Sequence, residues 1–396
     1  MYGRPVPAAA LAAALLGALA VATLGDPRAH ALPFVAIVLA WGGIVALTAP
    51  DLPSPARVVI AAVLVRLPLL LVTPTLSDDV WRYLWEGEVW RAGHNPFVSA
   101  PDAPELAALR DAVWANVNHR HVPSIYPPIA QLLFVLLSGG GVLAWRLLAS
   151  ACDVGTAWML ARERPTAGWL WALLPLPALE AAVSGHLEGI GVACLVAAVV
   201  SRRPLAAGAW AWAGAMVKLL PGVLLVLDRP RRWPFWGLLT LAVTLPFVRV
   251  DGFETYRASW AFNGSLHPLA EAVAGPGART ALQVVGAAVV AGILLRSRDR
   301  ARVALWTTGA FVILSPTVHP WYVAWPLAAA LLNGSRAWIV LAVTAPGAYV
   351  VLSTYDPATS AWTEWVGTRI LVYTPFYLAL LAEGWARLTR PGPAAL

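Results

Sequence analysis

Solid apolar runs of about 17–25 residues recur along the whole chain, the length needed to cross a bilayer core of ~30 Å as helix. In lipid every backbone N–H and C=O must be satisfied within the protein, so only helices or closed barrels can span. A barrel would show short alternating segments rather than solid runs. Of the 396 residues, 59% are hydrophobic and only 12% are charged, about half the charged fraction of a soluble domain. The expected fold is an all-α, polytopic transmembrane helical bundle of about 12–14 membrane segments, forming a single domain over 1–396.

The net charge of +7 does not point to nucleic acid. The arginines fall in short clusters between apolar runs, as the positive-inside rule predicts for cytoplasmic loops. Examples are "ARERPTAG" (161–168), "DRPRRWP" (228–234), "RSRDRAR" (296–302) and the tail "ARLTR" (386–390). Cys152 and Cys194 lie inside apolar segments and read as buried fillers. The first 31 residues have a basic start, an apolar run and an "AHA". That run exceeds the usual ~7–15 residues of a signal peptide, so a retained helix is expected.

Helices are expected near 7–24, 32–49 and 56–73, followed by a polar segment at 74–125 with interfacial helices. If Arg4 marks a cytoplasmic start, three crossings put 74–125 on the outer side of the membrane. Further apolar runs fall near 127–138, 142–161, 167–183, 187–201, 204–227, 233–249, 278–295, 302–317, 320–332, 336–353 and 364–386. Alternation then requires 126–141 to begin and end outside and 204–227 to begin and end inside. Both suit half-depth helices, which are tolerated where they line a cavity. Every polar motif then reaches the outer side: "SDD" (77–79), "NHRHVPSIYPP" (118–128), "SGHLEG" (184–189), "FNGS" (262–265) and "SPTVHPWY" (315–322).

Ser77, Asp78 and Asp79 can cap a helix whose positive dipole end favours carboxylates. Asp79, Glu86 and Trp90 then recur on one face, with Trp81, Tyr83 and Trp85 interleaved, a pattern expected of a helix along the membrane surface. A carboxylate at the mouth of a lipid-lined cleft is also what a general base requires. Lys218 is the only lysine in the chain. A charge inside the bilayer costs ~2.5–3.5 kcal/mol on insertion scales, so it implies a partner, and an anionic phosphate fits best. His186 and Glu188 stand at a helix mouth, where capping is the alternative to a ligand role. His119 and His121 precede Tyr126 in a wet loop. His319 is pinned between prolines, ahead of Trp321 and Tyr322. No GxSxG, P-loop, HExxH or CxxC motif occurs, and no metal site is expected.

Taken in order, "SDDVWRYLWEG", "NHRHVPSIYPPIAQLLF", "LLPLPALEAAVSGHLEG", "AMVKLLPG", "WAFNGS" and "LSPTVHPWYVAWP" resemble the GT-C superfamily of integral-membrane glycosyltransferases. They are most similar to the bacterial polyprenyl-phosphate-mannose-dependent mannosyltransferases, and more distantly to the enzyme adding the first mannose of GPI anchors. The resemblance covers residues 75–325. It implies an inverting transfer, without cofactor or divalent metal, from a polyprenyl-phosphate sugar to a lipid- or glycan-linked acceptor. The sugar implied is mannose, and the site would face outward from a bacterial cytoplasmic membrane. Asp79 or Asp78 would be the base, and Lys218 and His319 would hold the donor phosphate. Glu86, His119, Tyr126, His186, Glu188, Asn263, Trp321 and Tyr322 would contact substrate. The family's Gly-His-Asn-Asp is "GHLEG" here, and "LPLP" replaces its Asn-Pro-Leu. A transporter or flippase, with Asp78, Asp79 and Lys218 as a binding set, is the competing reading. Polar groups on one face, and no inverted repeat, speak against it.

Overall fold

The computed structural model describes residues 7–48, 53–245, 249, 251–252, 254–255, 260–356, 359 and 361–388. Arg4, residues 246–248 of the run at 233–249 and residues 389–390 of the arginine tail lie outside them. The described residues are helical, with isolated bridges in place of strands.

The first helix, α1 (Pro7–Leu24), packs against both α2 (Ala31–Leu47) and α3 (Pro55–Leu69), and the chain then runs through Thr73–Ser77. The next helix, α4 (Asp79–Arg91), carries the acidic motif. It does not present an exposed face. Val80, Arg82, Tyr83, Trp85, Glu86 and Val89 are buried, because α4 lies against α5 (Pro128–Leu137). Contact is so close at Gly87 that a Cβ would stand 2.3 Å from the Phe134 carbonyl oxygen, so only glycine fits. Tyr83 stacks on Phe134 at 4.9 Å between ring centroids. Burial of these aromatics holds the helix against the protein.

After α6 (Gly141–Glu163), prolines cut the apolar run at 167–183 in two. These are α7 (Pro165–Leu173) and α8 (Pro175–Ala182), with Leu174 extended between them, since proline lacks the N–H that continues a helix. Then come α9 (Glu188–Val200) and α10 (Pro204–Val217). Lys218 is extended, and a 3₁₀ segment, Leu220–Leu227, returns along α10. Its Pro221 lies close enough that a Cβ on Gly214 would be 2.9 Å away. At 14 residues, α10 rises ~21 Å, short of a full bilayer core.

The remaining helices are α11 (Trp233–Thr244), α12 (His267–Ala274), α13 (Ala278–Arg296), α14 (Arg300–Leu314), α15 (Ala324–Asn333), α16 (Ala337–Thr344) and α17 (Val366–Leu388). By length and apolarity alone, three helical stretches among the described residues can cross a bilayer: Pro128–Glu163, His267–Arg296 and Ala337–Thr354. Most other apolar runs are shorter or broken as helices, chiefly at prolines, while α17 is long enough at 23 residues but less apolar. The largest core joins α1–α3, α6–α9 and α14–α17 around Trp41, Trp171 and Trp325.

Candidate active site

The N-terminal end of α4 opens onto a cavity of ≈ 730 Å³. Asp78, Asp79, His119, Tyr126, Lys218, His319, Trp321 and Tyr322 all line it. Loops and helix ends from 75 to 322 thus bring eight of the twelve sequence candidates to one space. The lining also includes an apolar flank, with Leu220, Val223, Leu282, Val290, Phe311 and Leu314. Part of that flank belongs to α13, most of whose side chains are not covered by protein.

The two aspartates differ in their surroundings. Asp78 Oδ1 accepts from Arg28 Nη2 at 2.7 Å, and its Oδ2 accepts from the Tyr355 hydroxyl. Arg28 also lies over the Tyr355 ring, 4.4 Å from its centroid. That carboxylate is committed to tethering the loop after α1 and the 345–355 segment to α4. Asp79 is aimed inward, with Oδ2 3.6 Å from His186 Nδ1. Burial raises the Asp79 carboxyl to about 6, against the attraction of Lys218 and with the repulsion of Glu188 and Asp78. Of the two, Asp79 has the environment of a proton acceptor working near neutrality.

Lys218 terminates α10 and points Nζ at Glu188 Oε1, 2.5 Å away. Its ammonium is also 5.3 Å from the centroid of the Tyr322 ring. Glu188 opens α9, is 1% exposed, and leaves Oε2 with no hydrogen bond. A charge at this position needs a partner, and Glu188 is one within the chain.

His186 is fully buried in the break between α8 and α9. Gly185 before it has φ +66, and a Cβ there would crowd the Arg146 stem at 3.2 Å. The imidazole is the end of a run of stacked rings: His186 on Trp321 at 4.0 Å, Trp321 on His319 at 4.3 Å, His319 on Phe262 at 4.9 Å. Burial, then Lys218 and His119, lowers the His319 imidazole to about 3. Across the cavity His119 has φ 45 and packs on Trp260 at 4.5 Å. Burial, then Arg82 and His121, lowers it to about 4. Both imidazoles are therefore neutral at pH 7, as hydrogen-bonding rather than charged groups.

Glu86, His186, Glu188 and Asn263 are not among the residues lining the cavity. Glu86 accepts from Arg82 Nε at 3.0 Å, Ser124 Oγ at 2.6 Å and Gln131 Nε2 at 2.6 Å. It fastens the 118–128 loop to α4. Asn263, at φ 47, donates Nδ2–H to the Val318 carbonyl, and its own carbonyl accepts from the Tyr373 hydroxyl at 2.8 Å. With the Val318 N–H donating to the Phe262 carbonyl at 2.8 Å, "FNGS" holds the histidine loop in place. The candidate list lacked Arg28, Tyr355, Tyr349 and Glu180. Of these, Glu180 carried a sequence signal: a carboxylate inside an apolar run is itself anomalous.

The fold and cavity define a polytopic helical membrane protein with a titratable pocket at its helix ends. A family described as alpha-(1->6)-mannopyranosyltransferase, N-terminal domain, matches residues 8–228, and the MptB C-terminal domain matches residues 263–382. The chain belongs to this alpha-(1->6)-mannopyranosyltransferase family, in agreement with the GT-C resemblance of its motifs. It is similar to alpha-(1->6)-mannopyranosyltransferase A of Mycobacterium tuberculosis (strain ATCC 25618 / H37Rv), at 25% identity over 338 aligned positions. The alignment covers 69% of this chain and 65% of that relative. No solved structure matches the chain. Among the described residues, no group of three or more His, Cys, Asp or Glu side chains is placed to hold a metal ion.

Proposed function

We propose that this protein transfers mannose from a polyprenyl-phosphate donor to a lipid- or glycan-linked acceptor, working at the outer face of a bacterial cytoplasmic membrane. The observation that carries the reading is one cavity lined by Asp79, by the only lysine and by an apolar flank. The polyprenyl chain lies along that flank, entering past α13. Its phosphate meets Lys218, and its sugar rests by the ring stack of Trp321 and His319.

The acceptor hydroxyl attacks the anomeric carbon on the side away from the phosphate, so the configuration inverts. Asp79 takes the hydroxyl proton as the new C–O bond forms. The phosphate leaves with the electron pair of the old C–O bond, and Lys218 stabilises the charge it gains. For this Lys218 trades part of its contact with Glu188 for the phosphate. Asp78 holds its helix end in register through Arg28 and Tyr355. No step requires a metal or a cofactor.

The test is transfer of radiolabelled mannose from polyprenyl-phosphate mannose to a cell-envelope lipid extract by the purified protein, with and without EDTA. Transfer that survives EDTA supports the reading. Uptake of substrate into vesicles without transfer would replace it with the transporter.

A further inference from the structure

On another face of α13, we infer a second binding site, for an anionic two-chain phospholipid of the leaflet opposite Asp79. The site is a groove of ≈ 690 Å³ between α13 and α14. Val285, Val289, Gly292 and Ile293 wall it, and Arg296 and Arg302 stand where the two helices join. It shares no lining residue with the cavity, which takes Leu282, Gly286 and Val290 from the same helix. The site does not depend on the proposed transfer.

Its dimensions are those of one lipid. Eleven positions separate Val285 from Arg296, ~17 Å of helix, about one leaflet of a ~30 Å hydrocarbon core. Arg279, near the start of α13, lines the cavity with Asp79, and Arg296 lies ~26 Å further along the helix. The basic end of the groove is therefore at the other membrane face, which clustered arginine marks as cytoplasmic.

The charges there ask for an anion. Arg296 sits in the last turn of α13, where the helix dipole favours a cation. Its guanidinium folds back along the groove: a Cβ on Gly292 would stand 3.1 Å from Nη1. Arg302 does not suit its place in the first turn of α14, where the dipole disfavours a cation. Arg300, in the same turn, donates to the carbonyls of Ser201 at 2.7 Å and Ala198 at 3.3 Å. Among the described residues, the guanidiniums of Arg296 and Arg302 have neither a hydrogen bond nor an ion pair. The neighbouring carboxylate, Asp299, caps α14 by accepting from the Arg302 backbone N–H at 2.8 Å. A phosphodiester between two guanidiniums supplies the missing partner, since the arginine fork matches phosphate oxygens. One acyl chain then lies along Val285, Val289 and Ile293, beside Trp306, which is 40% exposed. Basic pockets between spanning helices at the cytoplasmic side suit such headgroups. A soluble anion would gain nothing from the apolar wall. Because α13 packs mainly against α14, a lipid seated here braces a helix that also walls the cavity.

The experiment uses the full chain in nanodiscs of phosphatidylcholine carrying a trace of phosphatidylglycerol with a photoreactive diazirine in one acyl chain. Adducts are mapped by peptide mass spectrometry. They concentrate on 285–306, and the same probe with a choline headgroup labels that stretch about tenfold less. Arg296→Gln with Arg302→Gln removes this headgroup preference, while its unfolding temperature in phosphatidylcholine matches wild type. Gly292→Leu keeps both arginines but fills the groove, and lowers labelling of 285–306 by the glycerol probe severalfold without changing adducts elsewhere. This variant decides the matter if the arginine variant unfolds. Equal labelling by the two probes, or a preference that survives loss of both arginines, overturns the site. Labelling that survives Gly292→Leu means that charge gathers lipid at the surface without a groove, and overturns it too. Competition by glycerol 3-phosphate as strong as by unlabelled phosphatidylglycerol would assign the arginines to a soluble anion instead.

Discussion

Two sets of buried charges stand side by side, and they are built differently. In the bundle, Arg66 and Asp153 are each about 2% exposed. Arg66 Nε donates to Asp153 Oδ2 at 2.5 Å, and its Nη1 donates to the carbonyls of Ala172 and Ala62. The other oxygen, Oδ1, accepts from Trp171 Nε1 at 2.8 Å. Around the cavity, by contrast, both nitrogens of His186 and the second oxygen of Glu188 have no hydrogen bond. The first set joins α3, α6 and α7 away from the cavity; its Arg66 Nη2, without a hydrogen bond, lies 2.5 Å from Asp153 Oδ2 in the ion pair. The second is left incomplete where a substrate can reach Asp79 and Lys218. Charge inside an apolar chain therefore has two uses, and access to the cavity separates them: Asp79 and Lys218 line it, while Arg66 and Asp153 do not.

The sharpest way to break that distinction is to exchange the phenotypes. Asp79→Asn is expected to lower kcat by about 10²–10⁴, the usual worth of a positioned base, with little change in thermal unfolding in detergent. Asp153→Ala should do the reverse: it leaves Arg66 buried without its partner, costing about 3–5 kcal/mol of stability. Transfer per folded molecule should then stay near wild type. Replacing the pair together, Arg66→Met with Asp153→Leu, should recover most of the lost stability, as read by the same unfolding assay. A strong activity loss in that double variant would erase the difference between the sets.

Smaller effects sharpen the picture within the cavity. Lys218→Ala should lower kcat/KM for the phosphate donor by about tenfold to a hundredfold, since a hydrogen bond to a charged group is worth about 1.5–3 kcal/mol. The donor's unphosphorylated alcohol should compete equally well against wild type and variant. Asp79 must be ionised to accept a proton and its carboxyl is raised to about 6, so kcat should fall tenfold per pH unit below that value. A wild-type acid limb near 4 would remove Asp79 from the role. Asp78→Asn should give the least, under about tenfold in kcat, because it loosens a partly exposed tether rather than the chemistry. A larger loss than in Asp79→Asn would reverse the assignment of the base.

Periodicity and proline already carried much of the organisation. The helices at 7–24, the hairpin at 204–227 with its break at Lys218 and the short helix after Tyr126 were legible because apolar length and missing N–H groups act locally. How far the aromatics of α4 are covered by protein was not legible, because aromatics that suit an interface can equally fill a core. Glu180 and Asp153 were legible by the argument that found Lys218, yet nothing in the chain says which intramembrane charge is closed off by neighbours and which faces a cavity.

The sequence by itself determined a helical membrane chain, an acidic motif at the start of α4 and a lone lysine at a helix break, since each follows from residues within a few turns of one another. Only the tertiary structure decided that Asp78 is tied down and Asp79 is not. Asp78 is held by Arg28 and Tyr355, 50 and 277 positions away, and the His186 that faces Asp79 arrives from another helix end. Those separations leave no local pattern. Two adjacent aspartates with the same propensities and the same helix dipole acquire different chemistry from whatever the fold packs against each.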